Sequence, residues 1–453
     1  RVVGLSRSVT FFEGENYLVS GNTVAKLGLP KKVAVAELLD NQVIIRLTQD
    51  WTVGGRTLKS GTLASLDADA VAKHPATLVP TVLFVPGPKE SIGGVSATRN
   101  HLAVAMYQNV KGRVMLFDRA NGKWTHRMLA LPDNMSTDLT STESSSDQLL
   151  LSVTGFLTPS SVWLADANAG RALSIKALPA KFDASSVVVE QLEATSKDGT
   201  RIPYFLVHPK NMKRDGSNPT IVYAYGGFEV SMTPSYSEYT GKLWLEKGGV
   251  FALANIRGGG EFGPAWHDAG LKTHRQVIYD DFAAVAQDLI AKKVTAPRRL
   301  GIQGGSNGGL LMGVEFTQHP ELWNAVDIQV PLLDMLRFEQ IQAGASWVGE
   351  YGSVNVPEER AFLASISPYH NLKSGVTYPT PLIWTTTKDD RVGPQHARKF
   401  AAKMGEMKLP YLFYEVLEGG HGSGANIEQR AHTEALEFTY FARQLMDPVK
   451  VVP

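Results

Sequence analysis

The stretch RRLGIQGGSNGGLLMG, Arg298–Gly313, runs apolar at Leu300–Ile302, encloses one serine and one asparagine among glycines, then turns apolar again. Gly304-Gly305-Ser306-Asn307-Gly308 matches G-x-S-x-G, after a predicted strand and before a predicted helix. In that context the serine occupies a sharp, strained turn, a nucleophile elbow. Neighbours without Cβ let strand and helix converge, and the N–H of the next residue points at an incoming acyl oxygen. Glycine-rich strand–helix turns also cradle phosphates. Here G-x-x-x-x-G-K-[ST] is absent and the turn has no lysine.

Working outward, the chain from about residue 187 alternates apolar runs with helical patterns. Thr220–Gly227, Gly249–Gly260, Arg299–Ser306, Asn324–Pro331, Pro381–Thr387 and Tyr411–His421 are near-continuous apolar strands. Tyr279–Lys293, Pro394–Met407 and Glu428–Met446 carry helical periodicity, and Thr195–Pro209 reads as an antiparallel hairpin leading in. Strands buried on both faces and alternating with helices predict an α/β domain with a mostly parallel sheet over 187–453.

Residues 1–180 differ. Val43–Leu47, Leu102–Tyr107, Val114–Asp118, Leu149–Val153 and Val162–Asp166 are short strands bounded by Gly, Asn, Asp or Ser. Asn121-Gly122 predicts a type I′ hairpin turn. LFDRANG (Leu116–Gly122) and LADANAG (Leu164–Gly170) repeat 48 residues apart, with SLDADA (Ser65–Ala70) 51 residues earlier. A period of about 40–50 residues points to β-propeller blades, three or four in this length. Closed propellers usually have about four to eight, so the domain reads as truncated. The chain starts at Arg1, and upstream sequence is expected to be missing.

An elbow serine needs an acid and a base in the order Ser, Asp/Glu, His. Downstream of Ser306 stand His319, His370, His396, His421 and His432. His396 and His432 fall in helical patterns and His319 in a helix-ending turn. His421 sits in LEGGHGSG, on a glycine loop after the last apolar strand, where a general base can reach across to the serine. Asp389 and Asp390 both follow the strand Pro381–Thr387, and either could hold the imidazole tautomer.

Composition sets bounds. Of 453 residues 43% are hydrophobic and 20% charged, and the net charge is +1 with no like-charge run. Nucleic acid and a membrane surface are not expected partners, and no apolar stretch is long enough to span a bilayer. Without cysteine there is no disulfide, thiolate or Cys-based zinc site. A soluble protein of cytoplasm or periplasm is expected, with the compartment open.

Residues from about 190 to 446 resemble the peptidase domain of the prolyl oligopeptidase family. YAYGGFEVSMTPSYS (Tyr223–Ser237), ANIRGGGEFGPAWHDAG (Ala254–Gly270), GGSNGGLL (Gly304–Leu311), ASWVGEYG (Ala345–Gly352), KDDRVGPQHARKF (Lys388–Phe400) and EGGHG (Glu418–Gly422) match in order and approximate spacing. The resemblance implies an α/β-hydrolase fold preceded by a β-propeller. It implies Ser306 as nucleophile, His421 as base and Asp389, the first of the pair, as acid. Tyr225 hydroxyl and Asn307 N–H would form the oxyanion hole. Trp347 would stack on a substrate proline, Phe228, Tyr351 and Val392 would complete the pocket, and Arg391 would bond the carbonyl before the proline. Arg257 and Glu261 in RGGGEFG read as a structural ion pair. The motifs depart from the common pattern after Trp347, where a Thr-Thr pair is usual, and at Gly393, where a valine is frequent.

The implied activity is a serine endopeptidase cutting proline-containing oligopeptides after proline, monomeric, with no metal or cofactor. The alternatives are a dipeptidyl or acylaminoacyl peptidase, a trypsin-like oligopeptidase, a carboxylesterase, and an inert binding scaffold.

Overall fold

The computed structural model describes residues 2–447 and divides the chain into two compact units. The first comprises Arg1–Pro179 with Thr233–Tyr236 and Gly260–Trp266; the second comprises Ala180–Met232, Ser237–Gly259 and His267–Pro453.

The first unit is built of consecutive antiparallel sheets. A three-stranded sheet (Val2–Ser8, Gly14–Ser20, Thr23–Lys26) precedes three four-stranded ones. These run over Val33–Phe84, Glu90–Met128 and Ser136–Ala177. The strand His101–Gln108 explains their stacking. Its Leu102, Val104 and Met106 join a core with Leu39, Ile44 and Leu63 of the preceding sheet, while Ala103 joins Leu149, Leu151 and Val153 of the following one. Alternate side chains thus face opposite neighbours, and the strand reads apolar throughout although its side-chain period is two. Antiparallel four-stranded sheets packed face to face in sequence are propeller blades.

All three repeated motifs fall on the third strand of a four-stranded sheet. That strand ends at the aspartate for Asp67 and Asp166, whereas the strand carrying Asp118 stays paired through Ala120, so the expected strand end at Asp118 is corrected by two residues. Asn121 and Gly122 both have positive φ, 50° and 75°, as the type I′ turn requires. After Asp67 the expected strand-only pattern breaks. Asp67 accepts the N–H of Ala70 and caps a helix, Ala68–Lys73, before the fourth strand.

In the second unit one sheet carries everything else. Its strands are β1 (Val187–Thr195), β2 (Arg201–Pro209), β3 (Thr220–Tyr223), β4 (Val250–Ala254), β5 (Leu300–Gly305), β6 (Ala325–Gln329), β7 (Leu382–Thr386) and β8 (Leu412–Val416). Their spatial order is β1-β2-β4-β3-β5-β6-β7-β8. The β1–β2 hairpin and the β2–β4 pair are antiparallel; β4 through β8 run parallel. The principal helices are α1 (Gln276–Ala291), α2 (Asn307–Gln318), α3 (Gln395–Glu406) and α4 (Ile427–Leu445). Both α2 and α4 pack on β5 and β6. Parallel strands put all their carboxyl ends at one edge, and Ser306, Asp389 and His421 lie in the connections that leave β5, β7 and β8 there. No helix among the described residues is long and apolar enough to cross a membrane.

Candidate active site

Ser306 sits between β5 and α2 with φ 61° and ψ −117°, outside the regions a side chain prefers. Its N–H donates to Gln329 O at the end of β6 (2.9 Å), which holds the turn down against the neighbouring strand. Its hydroxyl makes no cap bond to α2. Gly309 explains one glycine of the motif. A Cβ there would stand 2.6 Å from Gln329 O and 2.7 Å from Pro331, so α2 could not approach β6.

Asp389 is buried and takes three bonds. Oδ1 accepts the backbone N–H groups of Arg391 and Val392, each at 3.0 Å, and Oδ2 meets His421 Nδ1 at 2.8 Å. Burial would raise this carboxyl, but the His421 bond and the two N–H groups outweigh it and hold the group below its ordinary range. An ionised Oδ2 only accepts, so Nδ1 carries the proton and Nε2 of a neutral His421 presents its lone pair. Nε2 is buried and has no hydrogen-bond partner among the described residues, so His421 and Ser306 are not bonded to each other. The histidine loop is held at both sides. Thr386 Oγ1 at the end of β7 donates to Gly420 O (2.6 Å), and Thr433 Oγ1 of α4 donates to Ser423 O (2.8 Å).

The geometry separates the candidates that the residues alone left open. Asp390 is exposed and does not bond His421. His396 is buried, its Nδ1 accepting the N–H groups of Leu333 and Asp334, and burial depresses it to about 4. His432 is exposed, and His370 bonds Ser367.

Tyr225 follows β3. Burial raises its hydroxyl above the usual tyrosine range, and a hydrogen bond with Ser306 tempers the shift, so the phenol stays a donor. The side-chain amide of Asn307 is held at both ends: Nδ2 donates to Tyr225 O (2.6 Å), and Oδ1 accepts from Tyr351 Oη (2.9 Å) and from Arg275 Nη2. Its backbone N–H lies at the first turn of α2, where no intrahelical acceptor exists.

Phe228, Trp347 and Tyr351 form an aromatic corner. The Phe228 ring lies edge-on to Trp347 (6.3 Å between centroids) and to Tyr351 (5.6 Å). Val392 is buried in the loop after Asp389. That loop meets the tryptophan segment where Ala343 N donates to Arg391 O (3.1 Å). Arg391 has an exposed side chain whose charge reaches Tyr225. The departure at Gly393 has a backbone cause: φ is 92°, and a Cβ would stand 2.9 Å from both Ile341 and Gln342.

Sequence reasoning missed the support beneath this corner. Glu350 and Arg275 are buried and joined at 2.7 Å. Glu350 also accepts the N–H of Phe228 (3.1 Å), which sits at φ 58°, and bonds His267 Nε2 (2.7 Å). Burial would raise Glu350, yet His267 and Arg275 hold it below the ordinary glutamate range. Arg275 lies over the Tyr351 ring (4.7 Å) as well as bonding Asn307. One ion pair therefore anchors Asn307, Phe228 and Tyr351 together. The expected Arg257–Glu261 pair needs correction. Arg257 instead grips buried Asp281 through Nε (2.9 Å) and Nη2 (2.6 Å), and Asp198 through Nη1 (2.6 Å), because α1 brings the Asp281 carboxylate against its fork. Among the described residues no cluster of three or more His, Asp or Glu is placed to hold a metal.

Comparison with known proteins gives consistent matches. The model of the prolyl oligopeptidase family matches residues 234–447, and that of its N-terminal β-propeller domain matches residues 61–177. An uncharacterized peptidase, y4nA, of Sinorhizobium fredii is 54% identical over 422 residues, covering 93% of this chain and 58% of its own length. The prolyl endopeptidase of Elizabethkingia meningoseptica is 37% identical over 321 residues, 70% of this chain and 45% of that protein. Among solved structures, a post-proline cleaving enzyme from Rickettsia typhi superposes with a TM-score of 0.92 at 36% identity, covering 98% of this chain and 65% of that one. The chain thus spans less than two thirds of the length of these relatives.

Proposed function

The chain belongs to the prolyl oligopeptidase family, and from that premise and the site geometry we propose that it carries the catalytic unit of a serine endopeptidase cutting short peptides after proline. The observation that carries the reading is the strained Ser306 turn at the same sheet edge as a buried Asp389–His421 pair.

In the proposed reaction His421 Nε2 takes the Ser306 proton as Oγ attacks the scissile carbonyl. Asp389 keeps Nδ1 protonated and stabilises the imidazolium that forms. The Tyr225 hydroxyl and the Asn307 N–H receive the developing oxyanion. His421 then returns the proton to the leaving amine, and water repeats the cycle on the acyl-enzyme. Trp347, Phe228, Tyr351 and Val392 supply an apolar wall for a proline ring, which needs no hydrogen bond. Arg391, exposed and unpaired with any carboxylate among the described residues, suits the carbonyl before the proline. Proline specificity is supported by the names of the relatives at 36–37% identity.

The test is fluorophosphonate labelling followed by hydrolysis of an N-blocked Gly-Pro anilide. Labelling at Ser306, lost in Ser306→Ala, with cleavage after proline is the expected result. Cleavage only of the free-amine dipeptide substrate would favour an exopeptidase. Ester hydrolysis without peptide cleavage would favour an esterase, and no labelling would remove the nucleophile.

A further inference from the structure

Beneath the nucleophile turn lies a group of carboxyls without a counter-charge. Asp327 on β6 and Glu437 on α4 are 0% and 2% exposed. Gln303 of β5 donates from Nε2 to Asp327 Oδ2 (3.2 Å) and to Glu437 Oε2 (3.0 Å). Gln329 Nε2 donates to Asp327 Oδ2 (2.7 Å), while Asp327 Oδ1 is buried without a partner. The other titratable groups facing them are Glu434 on α4, itself facing Glu238, with Tyr440 and Tyr223. Among the described residues no lysine or arginine is bonded to either carboxyl. Desolvation penalises the charged forms and nothing opposite in sign offsets it. Burial therefore pushes both carboxyls above the ordinary range; the charge of Glu434 raises both further, and that of Asp327 raises Glu437.

The location connects both halves of the site. Gln329, held by Asp327, is the residue whose carbonyl fixes the Ser306 N–H. Gln303 lies on β5, which ends at Gly305 immediately before Ser306. Glu437 stands one turn along α4 from Thr433, whose hydroxyl holds Ser423 beside His421. A single bonded path thus runs from the nucleophile turn through Gln329, Asp327, Gln303 and Glu437 to the helix that carries the histidine loop.

We infer that Asp327 and Glu437 act as a proton-holding positioning pair that keeps the Ser306 turn and the His421 loop in register, and that release of their protons to solvent limits catalysis as pH rises. The inference rests on the proposed roles of Ser306 and His421. Two carboxylates with one shared amide donor between them repel, and β5, β6 and α4 separate where register matters. The sign follows from the raised folded values. Stability is full below the ordinary carboxylate range, near pH 4, and falls as pH rises through the folded values of the pair.

The experiment compares the chain with Asp327→Asn and Glu437→Gln, neutral isosteres that cannot ionise. Thermal unfolding is followed from pH 4 to 9, with kcat and KM for the blocked Gly-Pro anilide over the same range. We expect the decline of Tm with pH to flatten in both variants. The alkaline loss of kcat should move upward by about one pH unit with KM unchanged, a shift of the size that removing one strongly perturbed titration produces. Should one variant not fold, the other carries the same comparison. Tm and kcat profiles that superpose on the parent in a folded variant would overturn the inference. If the parent hydrolyses no peptide, the functional reading has failed, and an unchanged Tm slope would still overturn the proton-holding pair on its own.

Discussion

Replacing Glu350 by glutamine tests the idea that one buried ion pair organises the oxyanion and aromatic sides of the site. Glu350 and Arg275 are 0% and 1% exposed by side chain and joined at 2.7 Å. Glutamine keeps the shape and can still accept from Phe228 N and Arg275, but the charge goes and Arg275 is left buried without its counter-ion. Removing one partner of such a pair costs about 3–5 kcal/mol, against about 1 kcal/mol for a neutral hydrogen bond. At about 2–4 °C per kcal/mol for a unit of this size, Tm should fall by roughly 6–20 °C. Lys242→Gln, which breaks an exposed i,i+4 pair with Glu246, should cost less than about 0.5 kcal/mol. Because Arg275 and Tyr351 both hold Asn307 Oδ1, displacement of the Asn307 N–H should lower kcat by up to ~10², as partial loss of an oxyanion donor does, with KM changing less. The depressed Glu350 gives the pH sign. Its contribution is present above the ordinary glutamate value and is lost as pH falls through the lower folded value. The gap between parent and variant should therefore be full at pH 7 and close in acid. Denaturant unfolding and steady-state kinetics read both effects. A Glu350→Gln protein within about 1 kcal/mol of the parent, with unchanged kcat, would refute the reasoning.

Asp389→Asn should lower kcat on the order of 10³–10⁴ by losing the tautomer control of His421, whereas exposed Asp390→Asn should leave it within about twofold; equal losses in steady-state assays would contradict the assignment. Tyr225→Phe removes one of the two proposed oxyanion donors and should cost ~10²–10³ in kcat, with fluorophosphonate labelling of Ser306 slowed in parallel. Gly309→Ala places a Cβ 2.6 Å from Gln329 O and should destabilise by about 1–3 kcal/mol in chemical denaturation. Gly422→Ala, with nothing within 4 Å, should be near neutral by the same measurement.

Contiguous residues were enough for the elbow, the parallel-strand grammar after residue 187, the Asn121-Gly122 turn and the strand end at Asp166. Each is a local preference: glycine for close approach, period two for a strand, positive φ for a tight turn. The turns at Asp40-Asn41 and Asn109-Val110 also take positive φ at both residues, yet Val110 carries no such preference. It is fully buried, and packing overrides propensity there. The helix after Asp67 was likewise hidden, because six residues with one capping aspartate make a weak periodic signal.

The sequence by itself determined which hydroxyl stands on the strained turn and which kinds of side chain could serve it, since those choices are written within a few neighbouring residues. Only the tertiary structure decided that Asp389 and not Asp390 meets His421, that Arg257 pairs with Asp281, and that Arg275 reaches Glu350 and Asn307 across 75 and 32 residues of chain. A buried charge is tolerable only beside its partner, and the partner is set by how strands and helices pack rather than by nearness in sequence.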